Sequence, residues 1–292
     1  MKSKVYFTKT ITPEKVIEMY KVLGIDLKGN VAVKVHSGED GNQNYLRPEF
    51  LKPMIEYVNG TVVETNTAYE GERNENHKHK ELFKKHGWTK YFNVDLLDED
   101  GDLEIEVPNG KILKNNLVGK HMEKYDSMLV LSHFKGHPMG GYGGALKQLS
   151  IGCASSAGKC MIHSAGYTKD QKILWQHIPA DNNIFCECMA DAASSVVNYF
   201  KDRLAYVNIM CNLSVDCDCC AIAEDPCMKD IGILSSLDPV ALDQACIDLV
   251  YNSNDPGKEH FIERVESRKG RHTIDSADGN IGTKEYELIE IK

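Results

Sequence analysis

Four cysteines stand within ten residues in the run Cys211-Asn212-Leu213-Ser214-Val215-Asp216-Cys217-Asp218-Cys219-Cys220. In an extended chain, residues two apart project from the same face, about 6.6 Å apart along the strand, so Cys217 and Cys219 are placed to share one soft metal or to border a cluster. Thiolates suit zinc, copper(I) and iron–sulfur centres. Cys211 and Cys220 are the candidates to complete the set, with Asp216 and Asp218 holding the loop or ligating directly. The run matches neither the ferredoxin spacing C-x₂-C-x₂-C-x₃-C nor a paired C-x₂-C zinc arrangement, so a redox thiol pair is the competing reading.

A second group of reactive side chains occurs twice with the same spacing. Lys34-Val35-His36 is followed by Ser37-Gly38-Glu39, and Lys135-Gly136-His137 is followed by Pro138-Met139. Lys, His and Glu at the carboxyl end of a strand are positioned for anion binding and proton transfer, because ligands of open parallel sheets sit beyond those ends. The second of these segments runs into Gly140-Gly141-Tyr142-Gly143-Gly144-Ala145-Leu146-Lys147. Glycines let a backbone approach a ligand closely, and a helix starting near Gly144 would present unpaired N–H groups and a positive dipole end. Gly140, Gly141, Gly143, Gly144 and Lys147 therefore form a candidate cradle for phosphate or carboxylate. It is not a nucleotide fingerprint, since the glycine spacing fits neither G-x-G-x-x-G nor G-x-x-x-x-G-K-[ST]. The small-residue stretch from Gly152 to Gly158 is either a second anion cradle, with Lys159 as its counter-charge, or close packing. Cys153 and Cys160, seven apart, are not expected to chelate one metal.

The elements that must position these residues alternate between strand and helix. Residues 4–8, 31–36, 61–65, 127–134, 205–213 and 231–235 read as strands, and residues 286–291 alternate as an edge strand would. Between them, Thr12-Pro13-Glu14 supplies an N-cap with Pro at N1, and Asp238-Pro239 opens a later helix. Further helices are expected over residues 75–86, ending at Gly87, and over residues 187–200. Residues 96–113 carry two turns around an alternating stretch, which predicts a small antiparallel excursion. The fold expected is α/β: a mostly parallel sheet with helices on both faces. Without an internal repeat or low-complexity linker, residues 1–292 read as a single domain, with a weak break in pattern near residues 166–183.

Composition bounds the function. Lys plus Arg number 34 against 43 Asp plus Glu, a formal net charge of -9, so the chain has no general attraction for nucleic acid or anionic lipid. The amino-terminal residues lack the apolar core of a signal peptide and there is no bilayer-length apolar run, so a cytoplasmic protein with no membrane partner is expected. In that compartment ten cysteines are not a disulfide framework. Cys246, Cys186 and Cys188 are expected to be buried small hydrophobes.

Taken together, these segments resemble the uncharacterised iron–sulfur-centre protein family, long catalogued as a domain of unknown function. The residues that carry the resemblance are Val33-Lys34-Val35-His36-Ser37-Gly38-Glu39, His133-Phe134-Lys135-Gly136-His137, Gly140-Gly141-Tyr142-Gly143-Gly144-Ala145-Leu146-Lys147, Gly152-Cys153-Ala154-Ser155, Asp216-Cys217-Asp218-Cys219, Asp230-Ile231-Gly232-Ile233-Leu234 and Asp238-Pro239-Val240-Ala241-Leu242-Asp243-Gln244. Many members of the family carry an inserted four-cysteine ferredoxin module ahead of the segment that matches residues 205–213. This sequence has none: Cys186-Glu187-Cys188 opens a helix there. The resemblance implies a metal, and no settled activity comes with it.

Three readings follow. The first is a metal- or iron–sulfur-binding protein with a redox or redox-coupled role and an electron-transfer partner, its cofactor an iron–sulfur cluster or a single thiolate-bound metal on Cys211, Cys217, Cys219 and Cys220. The second is a cluster-free enzyme on a small anionic substrate. There His36 and His137 exchange protons, and Lys34, Lys135 and Lys147 neutralise carboxylate or phosphate. The third is a binding or scaffold protein whose cysteines pack and whose glycines are architecture.

Overall fold

The computed structural model describes residues 2–292. In chain order the strands are β1 (Ser3–Thr8), β2 (Val31–Lys34), β3 (Thr61–Glu64), β4 (Val94–Leu96), β5 (Asp102–Glu106), β6 (Asn115–Gly119), β7 (Ser127–His133), β8 (Lys135–His137), β9 (Gly141–Gly143), β10 (Leu204–Met210), β11 (Gly232–Ser236) and β12 (Tyr286–Glu290). The helices are α1 (Pro13–Lys21), α2 (Pro48–Tyr57), α3 (Asn76–Lys85), α4 (Ala145–Leu149), α5 (Ser156–His163), α6 (Asn182–Phe200), α7 (Pro239–Tyr251), α8 (Lys258–Ser267) and α9 (Arg271–Ala277).

Eight strands form one sheet in the order β12-β1-β11-β10-β7-β2-β3-β4. Every pairing in it is parallel except the two made by β11, which runs against both β1 and β10. Successive side chains of a strand face opposite sides. In β7 this sends Met128 and Val130 into one apolar cluster and Leu129 and Leu131 into another, with the whole strand buried. Val16, Met19 and Leu51 of α1 and α2 cover one face, while Leu146, Ala193 and Leu242 of α4, α6 and α7 cover the other. The expected α/β sheet with helices on both faces is what forms, and β12 lies at its edge.

Local chemistry sets the helix starts. The Thr12 side chain accepts from Lys15 N at α1, and Asp238 accepts from Val240 N and Ala241 N at α7, each with Pro in the first turn. The antiparallel excursion is β5 paired with β6, so it extends to Gly119, while β4 joins the main sheet. A longer helix from Gly144 does not form. After α4 the chain turns at Ser150 and restarts at α5, where the Ser155 side chain accepts from Gly158 N. Gly152 and Gly158 are close-packing positions: a Cβ on Gly158 would lie 1.9 Å from the Leu117 carbonyl oxygen. Helices α8 and α9 were not expected from the pattern. No helix among the described residues is long and apolar enough to cross a membrane.

Candidate functional site

Strands β2, β3 and β7 are parallel neighbours, and each ends on a charged or ionisable residue: Lys34, Glu64 and His133. Beyond these ends lies a cavity of about 210 Å³. Part of its lining is polar, with Lys34, His36, Glu64, Arg73, His137, Lys147 and Lys159 beside Cys219 and Cys220. The rest is largely apolar, supplied by Ala68, Pro138, Met139, Ile151, Leu174 and Trp175.

The sulfur group borders this cavity. Cys217 Sγ, Cys219 Sγ and His137 Nε2 lie within 4.8 Å of one another, and Cys219 Sγ is 3.9 Å from His137 Nε2. Lys147 Nζ donates to Cys217 Sγ at 3.2 Å, and the Cys219 backbone N–H donates to the same sulfur at 3.4 Å. Burial opposes a charge on Cys217, but the Cys219 thiol and the positive charges of Lys147 and Lys135 outweigh it, and its pKa falls well below that of a free thiol. Its hydrogen bonds to Cys217 and Cys220, with burial, push the Cys219 thiol up. The loop is anchored from below. Asp218 takes His133 Nδ1 at 2.9 Å and Lys135 Nζ at 3.0 Å, and His133 Nε2 reaches the Cys211 carbonyl at 2.6 Å. Asn42 Nδ2 adds bonds to the carbonyls of Cys217 and Cys220.

The basic residues differ in how far they are neutralised. Lys34 Nζ meets Glu64 Oε2 at 2.7 Å, and Glu64 Oε1 also accepts from Ser37 N at 2.8 Å. Burial would raise the Glu64 pKa, yet Lys34, His36 and Arg73 hold it well below the usual carboxylate range. Arg73 Nε donates to Glu39 Oε2 at 3.1 Å and its Nη2 to the Tyr69 hydroxyl at 2.9 Å. Lys159 Nζ donates only to Thr65 Oγ1 at 2.5 Å and the Ala154 carbonyl at 2.6 Å, and no carboxylate among the described residues comes within ion-pair distance. Burial lowers its pKa to about 7. Burial and the Arg73 charge bring His36 to about 4, so its imidazole is neutral at pH 7, with Nδ1 accepting from Gly38 N.

Of the residues singled out from sequence, Lys34, His36, His137, Lys147, Lys159, Cys219 and Cys220 line this one cavity, and Cys217 hydrogen-bonds Lys147. Others lie elsewhere. Lys135 turns away and bonds the His133 carbonyl and Asp218, so it braces the cysteine loop instead of facing a ligand. Glu39 is one step removed, buried against Arg73. Cys211 packs in the apolar cluster under β10, and burial pushes its thiol up to about 12, so it does not join the sulfur group. Cys186, Cys188 and Cys246 are buried in apolar clusters.

The glycine cradle is corrected more deeply. The first amides of α4, Ala145 N and Leu146 N, donate to the Asp243 carboxylate at 2.8 and 3.0 Å, so the helix start already holds an anion of the protein's own. A Cβ on Gly144 would lie 2.4 Å from that carboxylate, and one on Gly141 would lie 2.9 Å from Gly270 Cα. Gly141 and Gly144 thus serve close packing, and only Lys147 from that segment lines the cavity.

Glu64, Arg73, Tyr69 and His163 were not singled out from sequence. Glu64 carried a usable signal, since it ends a strand parallel to the one that ends at Lys34. Arg73 and Tyr69 lie on the polar loop after β3, where sequence alone offers no period to orient a side chain.

The family described as "Domain of unknown function (DUF362)" matches residues 31–248, and the chain belongs to it. No curated protein matches this sequence. Among solved structures, the chain is similar to the lactate racemase apoprotein from Thermoanaerobacterium thermosaccharolyticum at 13% identity and a TM-score of 0.44, covering 70% of this chain and 50% of that one. It is also similar to a protein from Thermotoga maritima at 13% identity and a TM-score of 0.43, covering 91% of this chain and 59% of that one. The chain therefore spans between half and three-fifths of the length of these two proteins. Likenesses this distant carry no argument about its chemistry.

Proposed function

We propose that this chain binds one soft metal ion on the thiolates of Cys217 and Cys219 and acts on a small molecule held in the adjoining cavity. The observation that carries this reading is the grouping of the two sulfurs with His137 Nε2, all within 4.8 Å of one another, beside a basic cavity. Donors about 2.0–2.3 Å from one tetrahedral ion stand roughly 3.5–3.8 Å apart, and the Cys217 and Cys219 sulfurs lie within 4.8 Å of each other. A four-iron cluster gives each thiolate its own iron and needs wider spacing. The grouping therefore favours one ion, or one iron of a smaller iron–sulfur centre.

Cys217 and Cys219 would hold the ion, which would supply Lewis-acid chemistry beside the cavity. The chain's own residues do the rest. Lys159, which has no ion-pair partner among the described residues, draws an anion into the cavity. His36, neutral at pH 7 with Nδ1 accepting from Gly38 N, carries its proton on Nε2 and is a hydrogen-bond donor there.

One observation favours a second reading, metal-free thiol chemistry. His137 Nδ1 accepts from Met139 N at 3.1 Å and Gly140 N at 2.8 Å, so the neutral ring carries its proton on Nε2, towards the sulfurs. In that form His137 donates to a thiolate instead of ligating, and Cys217 serves as nucleophile or redox thiol with Cys219 as its partner. The two sulfurs are thus the ligands available without rearrangement, and His137 reaches an ion only by giving up those amide bonds.

Anaerobic titration with Co(II), followed by thiolate-to-metal charge-transfer absorption, separates the readings. A band saturating at one equivalent and absent in Cys217→Ser/Cys219→Ser supports the metal. No band, with a thiolate ultraviolet absorbance at neutral pH that is lost in Cys217→Ser, supports the thiol and overturns the metal reading.

A further inference from the structure

The cavity is charged on one part of its wall and apolar on the rest, and that division speaks to what it holds. Its cations are mostly matched from within: Lys34 by Glu64, Arg73 by Glu39 and Lys147 by Cys217. Lys159 is the exception, a buried amine whose only hydrogen-bond partners among the described residues are the Thr65 hydroxyl and the Ala154 carbonyl. Asp98 and Glu64 act on it only from beyond ion-pair distance, so burial still lowers its pKa, and an incoming anion in direct contact relieves the cost of charging it. The apolar part of the lining, Met139, Ile151, Leu174 and Trp175 among it, offers nothing to a second charged group. Trp175 is 54% exposed although it lines the cavity, an arrangement suited to covering a ligand's outer end. Inorganic phosphate or a dicarboxylate would leave this surface unfilled or place a charge against it.

We infer that the cavity takes a small monocarboxylate with an aliphatic or aromatic tail, its head group on Lys159 and its tail against Ile151, Leu174 and Trp175. This names a ligand class for the cavity of the proposed function, yet its head-group contact is to Lys159 and not to the metal. It can therefore fail or stand separately from the metal reading.

The test is calorimetric titration of the whole chain with acetate, butanoate, hexanoate, succinate and hexanol, in chelator-treated and Co(II)-loaded protein. Each methylene buried is expected to tighten binding about fourfold, so hexanoate exceeds butanoate and butanoate exceeds acetate, with succinate weaker than butanoate. Lys159→Met is expected to weaken hexanoate at least tenfold while leaving hexanol within twofold. Trp175→Ala, a half-exposed position that leaves the core intact, is expected to flatten the chain-length dependence, so the inference stays testable even if Lys159→Met does not fold. Equal affinity across the acid series, or hexanoate binding unchanged in Lys159→Met, overturns it. Binding that appears only with Co(II) moves the head group to the metal, which overturns the Lys159 assignment while upholding the metal site.

Discussion

The Lys34–Glu64 pair is the sharpest place to perturb the cavity floor. Its atoms lie 2.7 Å apart and the two side chains are 1% and 4% exposed. At an effective dielectric constant of about 20, opposite charges at that distance attract by about 6 kcal/mol, most of which offsets the cost of removing both from water. The pair is therefore not expected to be worth much relative to an apolar pair, but breaking it from one side is. Glu64→Leu leaves a buried ammonium and strips Ser37 of the oxygen that takes its N–H and hydroxyl. That should cost roughly 3–5 kcal/mol, or about 6–10 °C in melting temperature for a chain of this length. Glu64→Gln, which keeps an acceptor, should cost less, and Lys34→Met/Glu64→Leu should recover most of the loss. The sign with pH is also set. The Glu64 pKa is depressed in the folded state, because Lys34, His36 and Arg73 outweigh its burial. Its contribution is therefore present above the ordinary glutamate pKa of about 4.3 and is lost as pH falls below it. Urea unfolding of the four proteins at pH 7 and at about pH 3 measures all of this. A Glu64→Leu cost under about 1 kcal/mol, or a double variant no better than the single, would refute the reasoning.

Other residues give equally definite expectations. Burial raises the Asp243 pKa to about 6, so relative to Asp243→Asn the wild type should lose roughly 3 kcal/mol of stability as pH rises from about 4 to about 6, read by urea unfolding across that range. Gly158→Ala places a Cβ against the Leu117 carbonyl and should destabilise the fold by roughly 1–3 kcal/mol in the same assay, whereas Gly101→Ala, with open space around it but positive φ, should cost only backbone strain.

How much of this was legible in the sequence depends on the range of the interaction. Short continuous apolar runs placed β2, β3, β7 and β10, and the Thr12-Pro13 and Asp238-Pro239 caps marked their helices, because each signal lies within a few residues. The carboxyl-end rule then brought Lys34, His36 and His137 to one cavity. The glycine segment was misjudged because a helix start advertises the same unpaired amides whether its anion is a ligand or a carboxylate 97 residues away, as Asp243 is from Leu146. Lys135 and Lys147 are alike in sequence, and only the folded chain places one on Asp218 and the other on Cys217. The reversal of β11 had no local signal either, since an apolar strand reads the same in both directions.

The central claim is that Cys217 and Cys219, and not Cys211, hold a metal ion. It is tested most directly by elemental analysis of protein purified without oxygen, comparing wild type, Cys211→Ser and Cys217→Ser/Cys219→Ser after confirming that each is folded. The account predicts about one transition-metal ion per chain in the first two and close to none in the third. An ion retained by the double variant, or a folded wild type that holds none and takes up none on anaerobic dialysis against Zn(II), Fe(II) or Co(II), would contradict it.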